Sequence, residues 1–214
     1  MFGDVEIVAH VPQAFATLVA REAPTSVALS GGDTARNCYE LLATADIDWG
    51  RVDVWFGDER WLPVHHPESN EGMARVTFLD EVEPRAVHSM YDPDATIDKA
   101  AVGYEAALRG AAPIELVHLG LGPDGHTASL FPGSAALDEE ARWVVPNGDE
   151  LHPHPRLTLT LPAIASARLV VITVAGASKQ DAFGQIRRGA ALPAGRVQAE
   201  RVLWLVDEAA SAGT

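Results

Sequence analysis

Residues 114–133, Ile-Glu-Leu-Val-His-Leu-Gly-Leu-Gly-Pro-Asp-Gly-His-Thr-Ala-Ser-Leu-Phe-Pro-Gly, decide how this chain is built and where it works. The apolar run 114–119 reads as a buried strand that empties into a glycine-rich turn. In an open α/β sheet, ligands bind at the carboxyl ends of the strands. Gly120, Gly122 and Gly125 let the backbone bend tightly and approach a ligand, and Asp124 and His126 set an acid and an imidazole in the same turn. The glycines also spell G-x-G-x-x-G, but that dinucleotide fingerprint requires a sustained helix after them. Pro132 follows within a few residues, and proline in a helix interior costs about 3 kcal/mol. A dinucleotide site is therefore not expected. A tight turn alone would account for the glycines but not for Asp124 and His126.

Outward from this stretch the chain alternates strand and helix. Residues 5–11 read as a strand, and Pro12 opens a helix with Phe15, Leu18 and Val19 at helical spacing. Residues 26–30 form a short buried strand ending in Gly31-Gly32, and Asp33 or Thr34 is expected to cap the next helix, with Cys38, Leu41 and Leu42 inward. Residues 52–56 are a strand running into a turn, Gly57-Asp58-Glu59-Arg60. Helices are expected over 69–82, over 94–108 with Ile97, Ala101, Tyr104 and Leu108 on one face, and over 178–188. Residues 169–174 and 202–206 read as late strands, and 156–161 as a short strand or extended segment. This order implies an α/β fold of three layers, a mainly parallel twisted sheet with helices on both faces. Neither a repeat nor a linker is evident, so residues 1–214 are expected to form a single domain despite the long loops near 146–155.

Composition narrows the function. The 214 residues are 47% hydrophobic and carry a formal net charge of −14, which suits a globular chain and argues against a nucleic-acid partner. A phosphate site must then be assembled locally, from a few arginines or lysines and backbone N–H groups. No secretory signal is expected, and the most apolar window, 161–177, contains Arg168, so no membrane span is expected either. The single cysteine, Cys38, excludes an intramolecular disulfide and suits the reducing cytoplasm as a buried thiol. No metal and no cofactor are expected. His65-His66 and His152-Pro153-His154 read as solvated loop histidines, and H-E-x-x-H is absent. Ser129 lies outside any G-x-S-x-G pattern, so an acyl-enzyme is not expected.

Three strand ends are built alike, namely Leu29-Ser30-Gly31-Gly32-Asp33-Thr34, Phe56-Gly57-Asp58-Glu59-Arg60, and Gly120 through His126. The first is a glycine turn opening a helix, which suits phosphate because free N–H groups and the helix dipole point outward. Taken alone it is equally an ordinary strand-to-helix turn, and the second is equally a structural ion pair. Together, in this order, they resemble the signature blocks of the 6-phosphogluconolactonase family. That resemblance includes Asp58-Glu59-Arg60-Trp61-Leu62-Pro63 with Ser69-Asn70 downstream and the block Gly120–Gly133, with Arg156-Leu157-Thr158-Leu159-Thr160 and Gly176-Ala177-Ser178-Lys179 as later blocks. It spans nearly the whole chain and implies a Rossmann-like fold of the sugar-phosphate isomerase/deaminase type. The related glucosamine-6-phosphate deaminase/isomerases carry a glutamate where this chain has Phe131, and Asp-Glu-Tyr where it has Asp58-Glu59-Arg60. Both positions favour the lactonase. The family commonly has Ser and Pro where this chain has Asp33 and Ala35, and a carboxylate beside a phosphate turn would repel the ligand unless it points away.

The resemblance implies hydrolysis of 6-phosphoglucono-δ-lactone to 6-phosphogluconate in the oxidative pentose phosphate pathway. His126 would be the general base and then the general acid, because its ordinary pKa lies near neutrality. Asp124 would orient the loop or the imidazole. Stabilising the oxyanion falls to Arg60 or to the amides of the glycine loop. Substrate and phosphate binding fall to Ser30, Gly31, Gly32, Thr34 and Asp58, with Arg156 and Lys179 resembling the family's phosphate ligands. The partner implied is a small phosphorylated sugar lactone. A monomer is expected, with a weak homodimer as the alternative. The competing readings are a deaminase/isomerase and a non-catalytic sugar-phosphate sensor.

Overall fold

A parallel sheet that changes direction at its centre positions everything else. The computed structural model describes residues 1–111, 113–148 and 153–212. Among these, seven strands form the main sheet: β1 (Asp4–Ile7), β2 (Ser26–Leu29), β3 (Asp53–Phe56), β5 (Ala86–Val87), β6 (Leu116–Gly120), β9 (Leu169–Val174) and β10 (Arg201–Val206). Their order is β1-β10-β9-β6-β2-β3-β5, and every pair is parallel. Helices α1 (Val11–Glu22), α2 (Asp33–Leu42), α5 (Ile97–Gly110) and α7 (Gln180–Arg187) flank it, with shorter α6 (Leu161–Ala165) and α8 (Glu208–Ser211). All six residues of β9 are buried, as expected of a central strand covered on both faces.

From β2 the chain moves outward to β3 and β5, then returns to lay β6 on the other side of β2. This reversal makes the β2/β6 boundary a topological switch point, where a crevice opens beyond the strand ends. The ladder between these strands stops at Val27↔Leu116 and Ala28↔Val117, whereas β6 stays paired with β9 as far as Gly120↔Thr173. The two strands part below the crevice.

The expected α/β architecture and its mainly parallel sheet are present, with local differences. The strand expected over 5–11 ends at Ile7, because His10 caps α1 at Val11. Asp58-Glu59-Arg60, read as a turn, is strand β4 (Asp58–Arg60) in a second, antiparallel sheet with β8 (Arg156–Leu159) and β7 (Val144–Asn147), the latter within sequence read partly as loop. Three polar residues give no apolar alternation, so the strand has no sequence signal. Neither Asp33 nor Thr34 caps α2; Gly32 holds the cap position at φ 91, and no side chain bonds there. Residues 69–82 form the expected helix with an irregular middle: α3 (Asn70–Ala74) runs on through a π-helical turn (Arg75–Leu79) into α4 (Asp80–Val82). The helix expected from 94 starts at Ile97, with Thr96 accepting from Lys99 N as its cap.

Side chains alternate along a strand, and β4 uses both faces. Asp58 and Arg60 line the crevice, while Glu59 points the other way into the start of α3. Glu59 Oε1 accepts from Arg60 N and Asn70 N, and its Oε2 accepts from Ser69 Oγ and Glu71 N, at 2.7–3.0 Å. Burial pushes the Glu59 carboxyl up from 4.5 to about 7 against these donors. Between those values the native state holds a proton that the unfolded state has released, so this group makes stability fall as pH rises through that window. In Glu59→Gln that slope should disappear, and an amide NH₂ facing N–H donors should destabilise by about 2 kcal/mol. Urea midpoints of both proteins from pH 4.5 to 7 test this; parallel curves would refute it.

Candidate active site

The crevice is a cavity of about 190 Å³ where the ends of β2, β3 and β6 meet. Ser30, Gly31, Gly32 and Thr34 line one wall; Gly120, Gly122 and His126 another; Asp58, Arg60, Arg156 and Lys179 complete it. Of the ten residues singled out in the sequence, Asp124 alone is not in this wall, and it bonds the histidine that is. Gly32 leads into α2 with no side chain over the first-turn amides, so these N–H groups are free to serve an anion. Asp33 heads α2 with an exposed carboxylate that pairs with Arg36 at 3.2 Å, which offsets its charge beside the turn.

His126 is fixed from three directions. Its Nδ1 lies 2.5 Å from Asp124 Oδ1, which also accepts the His126 backbone N–H at 3.1 Å. Partial burial works to raise the Asp124 pKa, but the backbone N–H and the imidazole outweigh it and hold the carboxyl below its ordinary value. An ionised carboxylate only accepts hydrogen bonds, so a neutral His126 carries its proton on Nδ1 and leaves Nε2 as the basic nitrogen. One side of the ring lies against Gly122, where an added Cβ would come within 2.1 Å of Nδ1. The Phe131 ring stands at 61° to the imidazole, 5.1 Å between centroids.

The remaining side chains gather charge. Asp58 is buried, accepting from Ser129 Oγ at 2.6 Å and Asn70 Nδ2 at 3.3 Å. Arg60 Nη1 donates to Glu68 O at 2.6 Å. In the register of β4 and β8, Arg60 sits directly opposite Arg156. Like charges in that relation are destabilising unless something anionic lies between them. The Arg156 guanidinium lies 5.7 Å from the Phe131 ring centre, so one buried apolar ring contacts both His126 and this cation. Lys179 follows β9 on a 3-10 turn (Ala177–Lys179); burial lowers its pKa and the charge of Asp124 opposes that.

Asn70, which has no role legible in the sequence, donates from Nδ2 to Asp58 O at 2.8 Å, and its Oδ1 packs against Gly31, where a Cβ would come within 1.9 Å. Thr127 and Thr173 in the cavity wall are likewise unmarked in the sequence, and His118 beneath it is marked only as a histidine inside an apolar run. His66 and His154 lie with rings 5.9 Å apart, His154 bonded to Glu68, and His152 lies outside the described residues. Among the described residues no three His, Cys, Asp or Glu side chains cluster as metal ligands, and no helix is long and apolar enough to cross a membrane. Cys38 is buried, which pushes its thiol up to about 12.

The sequence profile of the family described as "Glucosamine-6-phosphate isomerases/6-phosphogluconolactonase" matches residues 5–204. The chain is 42% identical over 208 residues to the 6-phosphogluconolactonase of Synechocystis sp., covering 90% of this chain and 85% of that protein. It is 40% identical over 206 residues to that of Mycobacterium leprae, covering 87% and 83%. The crystal structure of 6-phosphogluconolactonase from Thermotoga maritima superposes with a TM-score of 0.85 at 26% identity, covering 96% and 99%.

The contact of Gly122 with the imidazole gives a structural test. Gly122→Ala should leave the fold intact but drive the His126 ring off Asp124. A downfield Nδ1–H proton resonance, expected in the unmodified protein, should vanish in the variant; its persistence would mean that the turn relaxes around the new methyl.

Proposed function

The chain belongs to the glucosamine-6-phosphate isomerase/6-phosphogluconolactonase family, and we propose that within it His126, held by Asp124, activates the water that opens a phosphorylated sugar lactone. The activity is that of a lactone hydrolase converting 6-phosphoglucono-δ-lactone to 6-phosphogluconate in the pentose phosphate pathway. The observation that carries the mechanism is one cavity holding the His126–Asp124 pair beside two arginines in cross-strand register.

In this reading the phosphate lies against the amides of Gly31 and Gly32, the hydroxyls of Ser30 and Thr34, and the cations of Arg156 and Lys179. A phosphate near Arg156 also relieves its repulsion with Arg60. His126 Nε2 takes a proton from water as the oxygen attacks the lactone carbonyl carbon. Asp124 stabilises the imidazolium that forms. Arg60, or the amides of the glycine loop, stabilises the oxyanion. As the tetrahedral intermediate collapses, the imidazolium returns its proton to the departing ring oxygen. Asp58, fixed by Ser129 and Asn70, accepts from sugar hydroxyls. Phe131 carries no proton to relay, which separates this site from a ring-opening deaminase. We take residues 1–214 as one domain acting as a cytoplasmic monomer on a small molecule, without nucleic acid, metal or cofactor.

Acid release from freshly made 6-phosphogluconolactone, corrected for spontaneous hydrolysis and run beside glucosamine 6-phosphate as a control, tests the reading. His126→Ala should fold normally and lose about 10²–10⁴-fold in kcat. Asp124→Asn should lower kcat with little change in KM. Arg156→Ala and Lys179→Ala should instead raise KM and weaken competition by inorganic phosphate. Near-normal turnover by His126→Ala would dispose of the base assignment, and ammonia release from the control would favour the deaminase.

A further inference from the structure

The turn that carries Lys179 is held from outside the cavity. Strands β9 and β10 run side by side as far as Val174↔Val206, and Asp207 N, the next donor after β10, bonds to Val174 O at 3.1 Å. Beyond that point the two chains part, β9 into Gly176 and the 3-10 turn, β10 into α8. The Asp207 carboxylate spans the gap. Its Oδ1 accepts from Ala210 N at 2.7 Å and caps α8, and its Oδ2 accepts from Gly176 N at 2.8 Å. A second tie runs alongside, because Gln180, the residue after Lys179, donates from Nε2 to Ala212 O just past the end of α8. Among the described residues, Asp207 and those of α8 all stand outside the cavity wall.

Capping accounts for only one of the two carboxylate oxygens. A single side-chain oxygen satisfies an N-cap, and serine serves there as well as aspartate. The other oxygen goes to the residue that opens the lysine turn. Gly176 stands at φ 91, a conformation that favours glycine, with open space where a Cβ would project. No neighbour packs against that side of it, so the bond to Asp207 fixes the entry to the turn. The turn closes on itself through Lys179 N to Gly176 O at 3.0 Å, in 3-10 geometry that is poorer than α-helical bonding. From there Lys179 reaches into the cavity wall, where burial lowers its pKa. A flexible four-carbon stem delivers its charge to one place only when its backbone is held.

We propose that Asp207 is a positioning residue, which sets the Lys179 ammonium against the substrate phosphate by holding the Gly176 N–H. This rests on the lactonase reading of the site, with Lys179 as a phosphate ligand.

Asp207→Ser keeps an oxygen for the cap of α8 and removes the one that reaches Gly176. It should raise KM for 6-phosphogluconolactone about fivefold with kcat within about twofold, and weaken competition by inorganic phosphate in parallel. In a Lys179→Ala background the same change should add nothing, whereas a merely structural role would lower activity in both backgrounds. Asp207→Asn, which keeps the length and one oxygen of the side chain, should fall between serine and wild type. The chain has two lysines, Lys99 and Lys179, so carbon-13 lysine gives two ε-carbon signals that Lys99→Arg assigns. The Lys179 signal should titrate low in the wild type and move toward the ordinary lysine value in Asp207→Ser. Unchanged KM, additive effects in the double variant, or a Lys179 titration identical to wild type would overturn the proposal. A wild-type protein that released no acid, or a Lys179→Ala variant with normal KM, would instead defeat the reading beneath it. The Lys179 signal would then still show whether Asp207 places the ammonium.

Discussion

Everything at this site depends on two parallel strands that stop pairing. After Ala28 and Val117, β2 and β6 no longer share a ladder, and the backbone groups left behind must find other partners or lose stability. They do so in ways that build the crevice. Both polar groups of Ser30 turn to the Tyr39 phenol. Gly120 O accepts from the Thr127 hydroxyl at 2.8 Å. Leu29 O accepts from Gly57 N, and Gly57 O from Leu159 N, so one glycine hands the chain from the parallel sheet to the antiparallel one. The cavity is the space that these substitutions leave.

In the proposed reading, a chain with a net charge of −14 binds an anionic sugar phosphate by local arrangement rather than by global field. The Debye length in physiological salt is about 8 Å, so charges elsewhere on the surface count for little inside a crevice. What counts is the register that sets Arg60 opposite Arg156, the lysine brought in by the turn after β9, and the uncapped start of α2. The acids nearby are each engaged. Asp33 pairs with Arg36, Asp58 is held by Ser129 and Asn70, and Asp124 is bonded to His126.

The sequence was legible where one residue type has one physical use. Glycines at a strand end, a proline that forbids a crossover helix, and an imidazole beside a carboxylate located the cavity, and nine of the ten residues singled out line it. It was opaque where meaning comes from pairing. Asp58-Glu59-Arg60 has no apolar alternation, so nothing local marks a strand; β8 makes it one, and only then do Asp58 and Arg60 share a face while Glu59 anchors α3. The cap of α2 was missed for a related reason. Asp and Thr are good caps in isolation, but the turn places Gly32 at that position with a positive φ, leaving the amides open. Likewise His118 and Thr173 lie fifty-five residues apart, and only the β6/β9 pairing brings them within 2.9 Å.

The same logic explains how so small a loop holds the imidazole of His126 in one orientation. A general base gains when its proton acceptor is already aimed and its tautomer already set, because neither has to be arranged during the reaction. Asp124 fixes the tautomer from within the same turn, at no cost in long-range alignment. Gly122 sets the ring position by contact, since any side chain there would occupy the space of the imidazole. Phe131, buried and apolar, closes a further side and contacts Arg156 beyond. With Nδ1 held by Asp124 and the ring wedged, the proposed mechanism assigns proton transfer to Nε2. A carboxylate in the place of Phe131 would offer the imidazole a second partner and a second proton path, as ring opening requires. The mechanism proposed for this site needs one proton taken from water and returned to the ring oxygen, and in it the apolar Phe131 offers that proton no other acceptor.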